Sequence, residues 1–277
     1  MNKTLVTFSG KIGDVLWSLP TVRQISKNTG VKVSMGIMPQ YKSLLPLLKG
    51  QHCIENAFVI ENWICTGSPA GDQPWEAPLD TLEHYDEVYH LTYRNHPMGN
   101  QPLVDFIAQQ QHISLDEPVC PFIDCREFGE YPQTYIAYAF NDMYKDLKDR
   151  YISTLSSLLG KSSLTTSTPI VFQDVSQTPF GIVKYVIKNA LCFVGCRSAN
   201  WVIAHGVGQK NIIVFEPHPH RHHQGAFGNT FCNPHWPEIT GPLVSNPEYE
   251  AERAANYIKG WVREKEEKLY ATQTVTR

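Results

Sequence analysis

The sequence has no excess of charge of either sign. Its 24 Lys and Arg stand against 27 Asp and Glu, a formal net charge of −3. That balance excludes a global attraction to nucleic acid or to an anionic membrane, and leaves room only for local basic patches. Long hydrophobic runs are missing too. No stretch reaches the ~18 apolar residues of a membrane span, and no basic segment followed by an apolar run marks a secretory leader. The seven cysteines, at 53, 65, 120, 125, 192, 196 and 232, are odd in number, and no pair has the two-residue spacing of a zinc or redox motif. Reduced thiols and a cytoplasmic location are therefore expected. What is present is ordinary for a folded chain: 277 residues, 42% of them hydrophobic, enough for one large domain or two small ones.

Strand and helix signals alternate. In the first half, Leu5 to Phe8, Lys32 to Met38, Ala57 to Ile60 and Val88 to Thr92 read as strands. Val15, Leu16, Leu19, Val22 and Ile25 recur at helical spacing, and Tyr41 to Leu48 and Leu103 to Gln111 read as further helices. Asn62 to Asp80, rich in Gly and Pro, reads as a loop. The periodic texture stops around Pro118 to Pro132, which predicts a linker near Asp124 to Pro132. A second series follows. Its strands are Tyr135 to Phe140, Pro169 to Phe172, Leu191 to Gly195 and Asn211 to Phe215. Its helices include the Ile152, Leu155, Leu158, Leu159 segment ended by Gly160, then Ile182 to Ala190, Ala199 to Gly206 and a charged Glu248 to Lys268. Repeated βα units imply parallel sheets covered by helices. The expectation is an α/β protein with two Rossmann-like domains, 1–128 and 129–246, whose parallel sheets face a central cleft. The helix in 247–277 is left free to pack back on the first domain.

Ligands of such sheets bind at the carboxyl ends of the strands, and two stretches fall there. In "GKIGDVLWSLPTVRQI", Asp14 sits between a tight glycine turn, Gly10 and Gly13, and an apolar helix. Asp is a preferred helix N-cap, and the helix dipole favours its ionised form. The same placement holds a deprotonated carboxylate over a cleft, as a general base requires. Read alone, capping ranks ahead of catalysis. In "FVGCRSANWVIAHGVG", the strand ends at Gly195, and Arg197, Ser198 and Ala199 lead into a helix. Backbone N–H groups there suit a phosphate, and an arginine can add a bidentate contact. An ordinary βα turn with a solvated arginine is the alternative.

Together the two stretches, with Leu19-Pro20 after the first and "IIVFEP" after the second, resemble the heptosyltransferase family. These are GT-B glycosyltransferases that move heptose from ADP-heptose onto the lipopolysaccharide core. The resemblance implies a GT-B-like fold and an inverting transfer from a nucleoside-diphosphate sugar. The donor would lie in the second domain, and a glycan, lipid-linked or other hydroxyl acceptor in the first. Asp14 matches the family's catalytic aspartate, which puts the base ahead of the cap. Where the family carries an Asp, this sequence has Arg197, followed by Ser198 and Ala199, and Val202 stands at the usual His with His205 one turn later. Arg197 then either neutralises the donor itself, or the donor differs, or the site is degenerate.

Several other residues are candidates. Lys145, with Lys148 beside it, could reach the diphosphate, and Glu216 a ribose hydroxyl. Tyr93, Arg94 and Asn95 in "TYRNHP" join Gly13 as the candidate acceptor contacts. The histidines 218, 220, 222 and 223 invite a metal reading, but prolines break their spacing and carboxylates are few. A loop over the donor is the better reading, with no metal and no other cofactor expected. The rival functions are a nucleotide-sugar epimerase of similar build, a non-catalytic nucleotide-sugar-binding protein, and a glycosyltransferase acting on a modified nucleic-acid base.

Overall fold

The computed structural model describes residues 3–63, 79–92, 103–116, 123–125, 134–140, 145–160, 170–216, 238–242 and 247–275. Two parallel sheets form. The first has strands β1 (Thr4–Phe8), β2 (Val33–Ile37), β3 (Ile54–Val59) and β4 (Glu87–Leu91) in the order β3-β2-β1-β4. The second has β5 (Tyr135–Ala139), β6 (Val171–Asp174), β7 (Cys192–Cys196), β8 (Ile212–Glu216) and β9 (Glu238–Pro242) in the order β6-β5-β7-β8-β9. Residues of β1 and β7 are buried throughout, as expected of central parallel strands covered on both faces.

The helices are α1 (Ile12–Thr29), α2 (Leu45–Leu48), α3 (Leu79–Leu82), α4 (Leu103–Gln110), α5 (Lys145–Gly160), α6 (Phe180–Asn189), α7 (Ala199–Gly206) and α8 (Pro247–Val275). The helix expected over residues 41–48 is broken in two. A 3-10 turn covers Pro39–Leu44, and α2 restarts at Leu45 with Pro46 in its first turn. A proline fits there because the N–H it lacks would have no partner inside the helix. Leu79 and Asp80 open α3 rather than closing a loop, and β9 joins the sheet beyond the last strand expected.

One core runs through both halves. It joins Val6, Trp17 and Val22 of the first to Ile187, Trp201 and Val214 of the second. A separate core covers the other face of the second sheet. There α8 inserts Ala251, Ala254, Ala255 and Ile258 beside Tyr151 and Leu155 of α5. Arg150 of α5 adds a two-pronged contact to Glu248 of α8, with both hydrogen bonds at 2.9 Å. Among the described residues, α8 thus packs on α5 of the second half. No helix among the described residues is long and apolar enough to cross a membrane.

The expected linker begins in residues 123–125, and these are pinned to both halves. Ile123 N–H donates to Gly206 O (2.9 Å), and Asp124 N–H donates to Gln51 Oε1 (2.7 Å). Lys184 and Lys188 of α6 donate to the carbonyls of Asp124 and Cys125, each at 2.8 Å. Asp124 Oδ2 also accepts from the backbone N–H of His52 at 2.6 Å. The boundary placed between 128 and 129 lies outside the described residues.

Candidate functional site

In open parallel sheets, ligands bind where neighbouring strands lead their chains in opposite directions. Strand order puts that point between β1 and β4 in the first sheet and between β5 and β7 in the second. The turns leaving β1 and β7 are the two stretches singled out from the sequence.

After β1, Lys11 occupies the N-cap of α1 and Asp14 the third helical position. Asp14 is therefore not the N-cap residue. Its Oδ2 accepts the Lys11 backbone N–H at 3.1 Å, the reaching-back half of a capping box. Asp14 is 9% exposed. Gly10 makes this fit possible, because a Cβ there would lie 2.1 Å from Phe8 Cε1 and 2.8 Å from Asp14 Cβ. Capping and catalysis do not conflict in principle, since a carboxylate accepts protons or hydrogen bonds at either oxygen.

After β7, Ser198 is the N-cap of α7 in extended backbone conformation, with no side-chain capping bond. The first helical bond runs from Val202 N–H to Ser198 O (3.1 Å), so the N–H groups of Ala199, Asn200 and Trp201 precede the ladder. Among the described residues, buried Ser198 Oγ and Asn200 Oδ1 have no hydrogen-bond partner. Asn200 is 8% exposed, and its amide donates to Val175 O at 3.4 Å, just past β6. The Arg197 guanidinium lies over the Trp201 ring, 5.3 Å from its centroid. Gly195 serves packing, for a Cβ there would sit 2.2 Å from Ala139 O of the paired strand.

The two turns meet. The Trp17 and Trp201 rings pack edge to face, with centroids 5.7 Å apart and planes at 63°. Gly13 turns toward α7, where a Cβ would stand 3.8 Å from Val202 Cγ2. This puts the half-buried Gly13 beside α7 of the second domain. The carboxyl ends of the two sheets converge around this helix pair, with a carboxylate at one helix start and a guanidinium at the other.

The remaining candidates divide. Lys145 is the first residue of α5, beyond the carboxyl end of β5, and Glu216 is the last of β8. Lys148 Nζ instead lies 3.7 Å from Asp174 Oδ2 and 3.8 Å from Asp149 Oδ1. Tyr93, Arg94, Asn95 and the histidines at 218, 220, 222 and 223 lie outside the described residues. No group of three metal-ligating side chains occurs among the described residues. Burial pushes the Cys53 thiol up to about 11 and raises Cys192 further, so neither supplies a ready thiolate. A groove of about 610 Å³ beside α4, lined by Asp105, Gln109, His112 and neighbours, includes none of the residues named above.

Sequence reading missed Trp17, Asn200 and Trp201. A tryptophan in an apolar helix reads as core, and both tryptophans are core. What the sequence could have offered is their placement, each just inside a helix that follows a central strand.

No protein-family profile and no curated protein matches the sequence. Solved structures do resemble it. A family 9 glycosyltransferase from Veillonella parvula superposes with a TM-score of 0.59 at 10% identity, covering 93% of this chain and 97% of that one. The ADP-heptose lipopolysaccharide heptosyltransferase II of E. coli gives 0.57 at 12% identity, covering 93% and 98%. The E. coli heptosyltransferase WaaC, solved with ADP, gives 0.54 at 12% identity, covering 92% and 99%. The chain has the two-domain GT-B fold of these glycosyltransferases.

Proposed function

We propose that the protein is an inverting glycosyltransferase using a nucleoside-diphosphate sugar, with Asp14 as general base. The observation that carries this reading is the Trp17–Trp201 contact, which joins α1, bearing Asp14, to α7, whose start follows Arg197. An acceptor hydroxyl at this mouth gives its proton to Asp14. Its oxygen forms a bond to the anomeric carbon from the face opposite the leaving group. The bond from that carbon to the phosphate oxygen breaks, and its electron pair leaves with the nucleoside diphosphate. Arg197 and the N–H groups opening α7 stabilise the charge that develops there. Lys145 is a further candidate for the diphosphate, and Glu216 for the ribose. The step as drawn forms no covalent intermediate and calls on no metal ion.

The first donor to test is an ADP-linked heptose, since two of the similar proteins are described with ADP or ADP-heptose. A nucleoside diphosphate that binds only the native state raises the melting temperature in proportion to the logarithm of its concentration. We expect such a rise with at least one of ADP, UDP, GDP or CDP. No shift with any of them at millimolar concentration overturns the donor assignment. The second reading, a nucleotide-sugar binder without turnover, is favoured by one feature. One oxygen of Asp14 is already engaged within its own helix. Donor binding without transfer to any acceptor would select it.

A further inference from the structure

We infer that Trp17 and Trp201 are a positioning pair that holds the donor-binding cation and the base in register across the two domains. The inference rests on the glycosyl-transfer reading above. Trp201 is packed by three groups: the Arg197 guanidinium at 5.3 Å, the Trp17 ring at 5.7 Å and the His205 ring at 5.2 Å. Trp17, Trp201 and His205 are all 2% exposed or less, so the arrangement has no solvent-filled slack. Trp17 lies about one turn after Asp14 on α1, and Trp201 lies in the first turn of α7, four residues after Arg197. Each tryptophan thus follows the charged residue at the start of its own helix, and the two meet.

A core alone does not need this geometry. Leucines at both positions would bury apolar surface as well, but would offer Arg197 no π face. An arginine side chain has many rotamers, and stacking on an indole restricts it before any ligand arrives. GT-B domains are separate units, and domains joined by small polar interfaces move relative to each other by default. Here the facing helices share an apolar core instead. The distance between the proton acceptor and the donor's leaving group is then set by the tryptophan pair.

The experiment is a set of variants on the full-length protein: Trp201→Leu, Trp201→Phe, Trp17→Leu and Trp17→Phe. Each is measured for melting temperature, nucleoside-diphosphate Kd, kcat and donor KM. Trp201→Leu should weaken nucleotide binding roughly 3- to 30-fold, the range of a cation–π contact. Arg197→Ala added to Trp201→Leu should then cost less than it does in the wild type, because the cation is no longer held in place. Trp17→Leu should leave Kd unchanged and lower kcat about tenfold or more, since small misplacements of reacting groups are costly. The Phe variants, which keep an aromatic face, should recover most of each loss and carry the test if a Leu variant does not fold. Variants that lower only the melting temperature, with Kd, KM and kcat intact, reduce both tryptophans to core residues and overturn the inference. Additive losses for Arg197→Ala and Trp201→Leu overturn it as well. A wild type that binds no nucleotide overturns the parent reading; a wild type that transfers sugar while the tryptophan variants stay silent overturns this inference alone.

Discussion

The turns that follow β1 and β7 are built alike and charged oppositely. Each leaves a buried central strand, carries a glycine nearby where a side chain would collide with a neighbour, and opens a helix. The first places an aspartate where the helix dipole welcomes it, and binds it to the N–H of Lys11. The second places an arginine beside a helix start, where the dipole opposes a cation. Its guanidinium is held instead on the Trp201 face, and two polar oxygens nearby have no partner among the described residues. In the first turn the helix dipole and the bound carboxylate agree; in the second the cation stands where the dipole alone would not place it, stacked on Trp201. A diphosphate beside Arg197 would add a negative charge at the helix start, where the dipole favours one. That asymmetry is the physical ground for assigning the donor to the second domain and the base to the first.

Neutralising the second turn should break the comparison most strongly short of the base itself. Arg197→Ala is expected to weaken nucleoside-diphosphate binding by roughly 1.5–3 kcal/mol, the worth of a hydrogen bond to a charged group. The melting temperature of the ligand-free protein, measured alongside, separates loss of the Trp201 stacking from loss of the nucleotide contact. Calorimetry showing unchanged affinity would remove Arg197 from the donor site. A smaller effect should sharpen the contrast. Ser198 caps α7 by position but makes no capping bond, so Ser198→Ala should alter ligand-free stability by no more than about 0.5 kcal/mol. Nucleotide affinity should fall by about 1 kcal/mol if its hydroxyl turns to the phosphate. A fall in stability with affinity unchanged would mark Ser198 as an ordinary cap.

Local chemistry made much of this legible before the fold was known. α7 is found over the very residues expected, because a small polar residue precedes it and Val207-Gly208 ends it. β1, α1 and β7 fall within a residue or a few of their expected bounds for similar reasons. Other elements were hidden by their own composition. β9 contains Gly241 and Pro242, residue types common in turns, yet proline is tolerated at the end of the described sheet, where β9 pairs with β8 among the described strands. Pro46 reads as helical punctuation only once the chain is seen to restart there. The small-residue face of α8, with Ala251, Ala254 and Ala255, announces close packing without naming a partner, and that partner proved to be α5. The meeting of Trp17 with Trp201 lies beyond local reading, since residues so far apart in sequence are joined only by the docking of two sheets. Asp14 was visible as a carboxylate at a helix start, but its rank at the third position rather than the cap depended on Lys11.

The central claim is that Asp14 acts as a base and not only as a partner for the Lys11 N–H. Asp14→Asn separates the two, because the amide oxygen can still accept that N–H while the side chain no longer takes a proton. Turnover of the donor with an acceptor should fall by roughly 10²–10⁴-fold, the usual size of general-base assistance. Nucleotide affinity and melting temperature should remain close to wild type, since the proposed donor site is in the other domain and the capping contact survives. An Asp14→Asn protein that keeps more than about a tenth of wild-type turnover, outside that range, would contradict the claim and leave Asp14 as a structural residue of α1.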